Sequence, residues 1–241
     1  MKAIILSAGQ GKRLLPLTKK TPKAALRVGS TSVLEWQLQE LAKCQIHEVV
    51  VITGFGADQI DHIIDNQKDM SARTLYNPFY SQSDNLGTCW IARHEMTAPF
   101  MIINGDTLFE SAIVEKLLAA NPENPINLVT DCKDLYDDDD MKVILETGIV
   151  KNVSKTLDRA RVDGESIGMM SFNHEGASLF VSELNSMMRS GSGLSQWYLS
   201  AIDSIAQSLK VFACPIEGSE WCEIDSVGDL ETAEKTVSRW L

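Results

Sequence analysis

A hydrophobic strand that runs directly into a glycine-rich, cation-bearing loop constrains this chain more than anything else in it. The segment reads Lys2-Ala3-Ile4-Ile5-Leu6-Ser7-Ala8-Gly9-Gln10-Gly11-Lys12-Arg13-Leu14, and Pro22-Lys23 follows. Glycines at the end of a buried strand let backbone N–H groups approach anionic oxygens, and fixed cations neutralise the charge the amides leave over. The order of these parts predicts a place to hold a polyphosphate. It is neither of the two commonest phosphate loops. A dinucleotide fingerprint needs a third glycine where Leu14 stands, and a P-loop needs four residues between its glycines and then Lys-Ser/Thr.

The rest of the chain supplies a sheet for that loop. Residues 48–53 (Glu-Val-Val-Val-Ile-Thr) and 100–104 (Phe-Met-Ile-Ile-Asn) read as buried strands closed by Gly54 and Gly105. Residues 32–44, with Leu34, Leu38 and Leu41 on one face, and residues 57–65 read as helices; 73–76 reads as extended and 85–94 as a helix. Strands joined by helices imply parallel pairing with right-handed crossovers. The expected fold class is therefore α/β, with a mixed, mainly parallel central sheet. Ligands bind such sheets at the carboxyl ends of the strands, where Gly9, Gly54 and Gly105-Asp106 all fall. The second half reads as strands at 127–130, 141–145, 149–153 and 167–172, with Thr147-Gly148 as a hairpin turn. Helices are expected at 177–189, 194–206 and 230–240.

No repeat, low-complexity stretch or linker divides the 241 residues, so a single domain over 1–241 is expected. A net charge of −11 argues against a nucleic-acid partner, which would need a basic face. An anionic ligand must then be drawn in locally, by the Lys and Arg residues gathered between Lys12 and Arg27. No apolar run is long enough for a membrane span, and Leu6 leads into a basic loop rather than a cleavage site, so a cytoplasmic protein is expected. Cys44, Cys89, Cys132, Cys214 and Cys222 are odd in number and form no C-x-x-C pair, which reads as small core residues. His47, His62, His94 and His174 show no metal-ligand spacing and read as surface or loop residues.

The string Leu6-Ser7-Ala8-Gly9-Gln10-Gly11-Lys12-Arg13-Leu14, Pro16-Leu17-Thr18 and Pro22-Lys23 resembles the signature of the sugar-nucleotide and choline-phosphate nucleotidyltransferases. Ser7 stands where that family usually has Ala, and Lys12 where it has Thr or Ser. The resemblance continues at Asn104-Gly105-Asp106 and returns at Trp221-Cys222-Glu223-Ile224-Asp225 with Asp229-Leu230. It implies a Rossmann-like three-layer sandwich of the nucleotide-diphospho-sugar transferase kind, with a nucleotide-binding half at about 1–110 and an acceptor-binding half at about 111–241. It also implies an Mg²⁺-dependent reaction, with Asp106 and Asp225 as metal ligands and Arg13 and Lys23 as catalytic cations. Leu6, Ala8, Gly9, Gly11, Lys12, Arg13, Thr53, Gly54, Asn85, Gly87 and Thr88 would meet the nucleotide, although Asn85 reads equally as a helix N-cap.

Acceptor residues are expected later in the chain. The strings Tyr136 to Val143, Val153-Ser154-Lys155 and Gly164 to Gly168 look more like the phosphocholine cytidylyltransferase branch than the larger glucose-1-phosphate enzymes. Lys155 suits an acceptor phosphate. Asp138 within the acidic run Asp137–Asp140, with Trp221 or another of Tyr80, Trp90, Tyr136 and Trp197, suits an ammonium group. Glu165 and Asn173 would instead suit sugar hydroxyls. The expected partners are a nucleoside triphosphate, CTP first, and a small phosphorylated acceptor, within a possible homodimer. The alternatives are an enzyme making UDP-, dTDP- or GDP-sugars and a catalytically silent nucleotide-binding subunit.

Overall fold

Val49, Val50, Val51 and Ile52 are all buried, as a strand covered on both faces requires. The computed structural model describes residues 1–97 and 99–240. Its strands are β1 (Lys2–Ser7), β2 (Arg27–Val28), β3 (Thr31–Ser32), β4 (Glu48–Thr53), β5 (Ser71–Tyr76), β6 (Phe100–Asn104), β7 (Thr107–Phe109), β8 (Ile126–Asp131), β9 (Lys142–Glu146), β10 (Ile149–Ser154), β11 (Gly164–Phe172), β12 (Val211–Pro215) and β13 (Trp221–Glu223). Its α-helices are α1 (Val33–Lys43), α2 (Ala57–Asp65), α3 (Asn85–Ala92), α4 (Ser111–Leu118), α5 (His174–Arg189), α6 (Tyr198–Ala206) and α7 (Val227–Trp240). None of these helices is long and apolar enough to cross a membrane.

The chain groups into two compact units, one of residues 1–81, 103–115 and 219–241, the other of 82–102 and 116–218. In the first, β1 and β5 flank β4 in parallel, with Ile4 opposite Val50 and Val50 opposite Arg73. Helix α1 starts where Ser32 accepts from Glu35 N and the Glu35 carboxylate accepts from Ser32 N, a reciprocal cap that satisfies two exposed donors. Its buried face carries Leu34, Leu38 and Leu41, with Gln37 and Glu40 buried among them. The short strand β7 pairs antiparallel with β13, so residues 114 apart in sequence become neighbours: Leu108 stands opposite Cys222.

In the second unit the order is β11-β8-β12-β10-β9. There β8 and β12 run parallel, β11 is antiparallel to β8, and β10 is antiparallel to both β12 and β9. All of β11 is buried, and the rings of Phe100 and Phe172 stack with centroids 4.5 Å apart. Residues 194–206 do not form one helix. Leu194 lies in a 3-10 turn, Gln196 and Trp197 are extended, and α6 begins at Tyr198. The break has a cause. Gln196 O accepts from Leu86 N, and Tyr198 N donates to the Asn85 side chain, so tertiary hydrogen bonds override local helix preference. The uniform core reading of the cysteines also fails. Cys89 and Cys214 are buried, but Cys132 is exposed and donates to Asp163 O. The four histidines are all exposed.

After β6 the chain must pass against the end of β1. Gly105 N donates to Leu6 O, and a Cβ on Gly105 would lie 2.3 Å from Ser7 Oγ and 2.6 Å from Leu6 O. No L side chain fits. Replacing Gly105 with Ala should lower stability by about 1–3 kcal/mol through forced displacement of β1, read as a lower urea midpoint at unchanged slope.

Candidate active site

β1 ends at Ser7, and the chain leaves the sheet through Ala8-Gly9-Gln10-Gly11. Gly11 sits at φ 71°, ψ 56°, the left-handed region that strains a side chain. The turn sends the chain into Lys12–Leu14, burying Leu14 and leaving Lys12 and Arg13 exposed. Buried Thr18 donates its hydroxyl to Gly11 O at 2.8 Å, and Gln10 Nε2 donates to Thr18 O at 3.2 Å. Among the described residues, no backbone carbonyl outside the helices and strands accepts from the amides of Gly9, Gln10, Gly11 or Lys12. The loop is thus tied to Thr18, with Gly9 and Lys12 exposed.

Two aspartates from distant segments are delivered to it. Asp106 precedes β7 and Asp225 follows β13, and the ladder between those strands is extended by Ile224 N donating to Asp106 O at 3.2 Å. Gln37 on α1 donates Nε2 to both Asn104 O and Thr107 O at 2.8 Å, which brackets Asp106. Asp229 Oδ2 accepts from the amides of Asp225 and Ser226 at 3.0 and 2.7 Å. Behind these groups, Leu14, Leu26, Trp36, Leu108, Ile224 and Val237 belong to one apolar cluster.

The charges meet in front of it. Lys23 Nζ lies 2.7 Å from Asp106 Oδ2 and 2.6 Å from Asp225 Oδ1, and Arg13 Nη2 lies 2.9 Å from Asp225 Oδ1. The Lys23 side chain is only 12 % exposed. Burial alone would lower its pKa; the Asp106 and Asp225 carboxylates outweigh that and hold the ammonium above its ordinary value. Asp106 Oδ1 is buried and has no hydrogen-bond partner among the described residues. At the end of β4, Thr53 and Gly54 line an open cavity of about 480 Å³ with Asp58, Asp61, Tyr76 and Tyr80.

The nucleotidyl transferase family profile matches residues 2–134, more than half of the chain. The chain belongs to the nucleotidyl transferase family. The choline-phosphate cytidylyltransferase of Streptococcus pneumoniae is 24% identical over 98% of both chains, and a solved structure of CTP:phosphocholine cytidylyltransferase from that organism superposes with a TM-score of 0.78 over 98% of each. The CTP:phosphoglutamine cytidylyltransferase of Campylobacter jejuni is 25% identical over 96% of this chain and 98% of its own. A UDP-glucose pyrophosphorylase complexed with UDP-glucose shares the fold, with a TM-score of 0.84 at 14% identity, over 100% of this chain and 99% of its own.

In this nucleotidyltransferase, Arg13, Lys23, Asp106 and Asp225 are brought together as their charges demand. Leu6 is half-buried and Ala8 buried, while Gly9 and Lys12 face solvent. Asn85, Gly87 and Thr88 lie on α3 in the second unit. Asn85 is not the N-cap: Asp84 holds that position, and Asn85 Oδ1 accepts from Tyr198 N at 2.8 Å. Trp221 is half-buried on β13 opposite Phe109, in the first unit. In the sequence Gln37 goes unmarked, and Thr18 stands only as part of the signature string, with no role of its own. A buried amide in line with Val33 and Leu41 on an apolar helix face was the available signal for Gln37.

The other acceptor candidates belong to the second unit, where the acidic run comes apart. The Asp138 side chain is fully exposed and pairs with Arg159. Asp137 accepts from the amides of Asp139 and Asp140, closing its own turn. Lys155 pairs with Asp139 and holds Nζ 4.7 Å from the centre of the Trp197 ring. Lys133 Nζ lies 2.7 Å from Asp140 Oδ2 and 3.1 Å from Glu165 Oε1. Burial pushes the Glu165 carboxyl up to about 7; Lys133 opposes this, and the nearby Asp140 charge adds to it.

That shift has a sign. Glu165 keeps its proton in the folded state at pH values where the unfolded chain, at about 4.5, has released it. The associated stability is complete below the unfolded pKa and is lost as pH rises towards about 7. Urea midpoints measured at about pH 5 and about pH 7.5 should therefore fall for the native chain, and Glu165→Gln should flatten that fall.

Proposed function

We propose that the chain transfers a cytidylyl group from CTP to a small phosphomonoester, phosphocholine or a close relative, with release of pyrophosphate and with Mg²⁺ as cofactor. The observation that carries the reading is Lys23 set between Asp106 and Asp225 beside the glycine loop. The choice of CTP is supported by the two cytidylyltransferases matched over nearly their whole length, one named for choline phosphate and one for phosphoglutamine. The reaction joins two anions. An acceptor phosphate oxygen forms a bond to the α-phosphorus, and the bond from that phosphorus to the pyrophosphate oxygen breaks. An ionised phosphate needs no general base, so the obstacle is charge repulsion and in-line alignment.

This chain's residues answer that obstacle. The amides from Gly9 to Lys12, with Arg13, would hold the β- and γ-phosphates. Lys23 would meet the α-phosphate and the incoming phosphate, its attraction growing as negative charge builds between them. The carboxylates of Asp106 and Asp225 suit Mg²⁺, which is bound through one or two carboxylates together with substrate phosphates, and the unpartnered Asp106 Oδ1 is an oxygen ready for such a cation. When bound, the ion would neutralise phosphate charge. We place the activity in the cytoplasm, where nucleoside triphosphates are available.

A second reading of the acceptor follows from Lys155. Its ammonium already covers the Trp197 ring and pairs with Asp139, so it is a cation offered to a phosphate or to a carboxylate at the acceptor's far end. Pyrophosphate release should be measured with CTP, UTP, dTTP and GTP against phosphocholine, a carboxylate-bearing phosphomonoester and hexose 1-phosphates. CTP with one of the first two acceptors is the expected pair; turnover only with UTP or dTTP and a hexose 1-phosphate would refute the assignment. Asp106→Asn should lower turnover by about a hundredfold or more with an unchanged circular dichroism spectrum.

A further inference from the structure

Lys23 does two incompatible things. For transfer it must face phosphate, yet its ammonium touches both carboxylates that would hold the metal, at 2.7 and 2.6 Å. It is not free to drift between the two roles. Its side chain is 12 % exposed, it starts the 3-10 turn Lys23–Ala25 directly after Pro22, and its stem lies against Gly11, where an added Cβ would meet Lys23 Cβ at 3.2 Å and Cδ at 3.3 Å. The stem therefore runs along the glycine loop, and a change at its tip can carry the ammonium from carboxylate to phosphate.

The charge balance points the same way. Asp106 and Asp225 face Lys23 and Arg13, two negative groups against two positive ones. A divalent cation arriving on the carboxylates would sit within a few ångströms of an ammonium already there, and like charges at that range repel strongly in a partly buried site. A bound polyphosphate removes the conflict by giving Lys23 another partner.

We propose that Lys23 is a built-in counter-ion that competes with the divalent metal for the Asp106–Asp225 pair, so that metal uptake and release of Lys23 towards phosphate are one event. The free protein then binds metal weakly, and nucleotide and metal each raise the other's affinity by the same factor. Before substrate arrives, Lys23 also keeps the two carboxylates from repelling one another. This inference rests on the metal reading given above.

The test is Mn²⁺ titration of the full chain without nucleotide, followed by electron paramagnetic resonance of the free ion. Lys23→Met should bind Mn²⁺ about tenfold or more tightly than the native chain, and CTP should raise native affinity in the same direction. Equal or weaker binding by Lys23→Met, with native binding restored by CTP, overturns the competition while leaving the metal site standing. No binding by either protein, even with CTP, overturns both. Should Lys23→Met not fold, ¹⁵N-lysine NMR of the native chain decides: Mg²⁺ with CTP must shift the Lys23 Nζ signal, and an unmoved signal refutes the exchange.

Discussion

One ammonium between two carboxylates organises the first unit. Asp106 and Asp225 come from segments 119 residues apart, and the three-residue ladder of β7 with β13 is too short to hold like charges together by itself. Lys23 supplies the compensating charge. Each of these groups is mostly withdrawn from water, so the arrangement is stable only while it is complete; removing one partner leaves a desolvated charge behind. The neighbours of the charged residues offset that cost. Leu14 adjoins Arg13 and Ile224 adjoins Asp225, and both apolar side chains are fully buried in the cluster around Trp36. Burying side chains of this size contributes about 1.5–3 kcal/mol each. Sequence neighbours thus divide the work, one anchoring and the next presenting charge.

The supports of that site are polar and buried. Gln37 spends both N–H bonds of its amide on the carbonyls either side of Asp106, Thr18 ties off the carbonyl of Gly11, and Asp229 holds the amides that open α7. These bonds fix backbone rather than side chains, so each functional group inherits its position from a satisfied main chain. The second unit uses charge differently. Lys142 is 1% exposed and donates to Lys155 O, while Lys133 ties Asp140 to Glu165. A carboxyl near neutrality in its pKa belongs to that network and is absent from the loop that would meet phosphate.

How much of this was legible in the chain itself differed by the range of the interaction. The strand, glycines and cations of residues 2–23 announce an anion site because all the parts are local. Asp106 is visible for the same reason, directly after an apolar strand. Central strands and helices could be read to within a few residues, as with α1, read as 32–44 and found at Val33–Lys43. What hid was long-range. Nothing near Leu108 or Cys222 signals that they face each other, and β2, β3, β7 and β13 are too short to show a period. The helical pattern at 194–206 was real but lost to bonds from Asn85 and Leu86. The acidic run at 137–140 looked like one surface and is four separate fates, because each side chain is captured by a different partner.

The place of Asp225 in the chain has a further consequence. Lys23 and Asp225 are some two hundred residues apart, and Asp225 lies just beyond the strand that pairs with β7, so bringing the two charges together closes a long loop that only the folded chain can hold. Local unfolding that frees β13 from β7 would therefore take Asp225 away from Lys23 and Arg13 while leaving the glycine loop on its own strand.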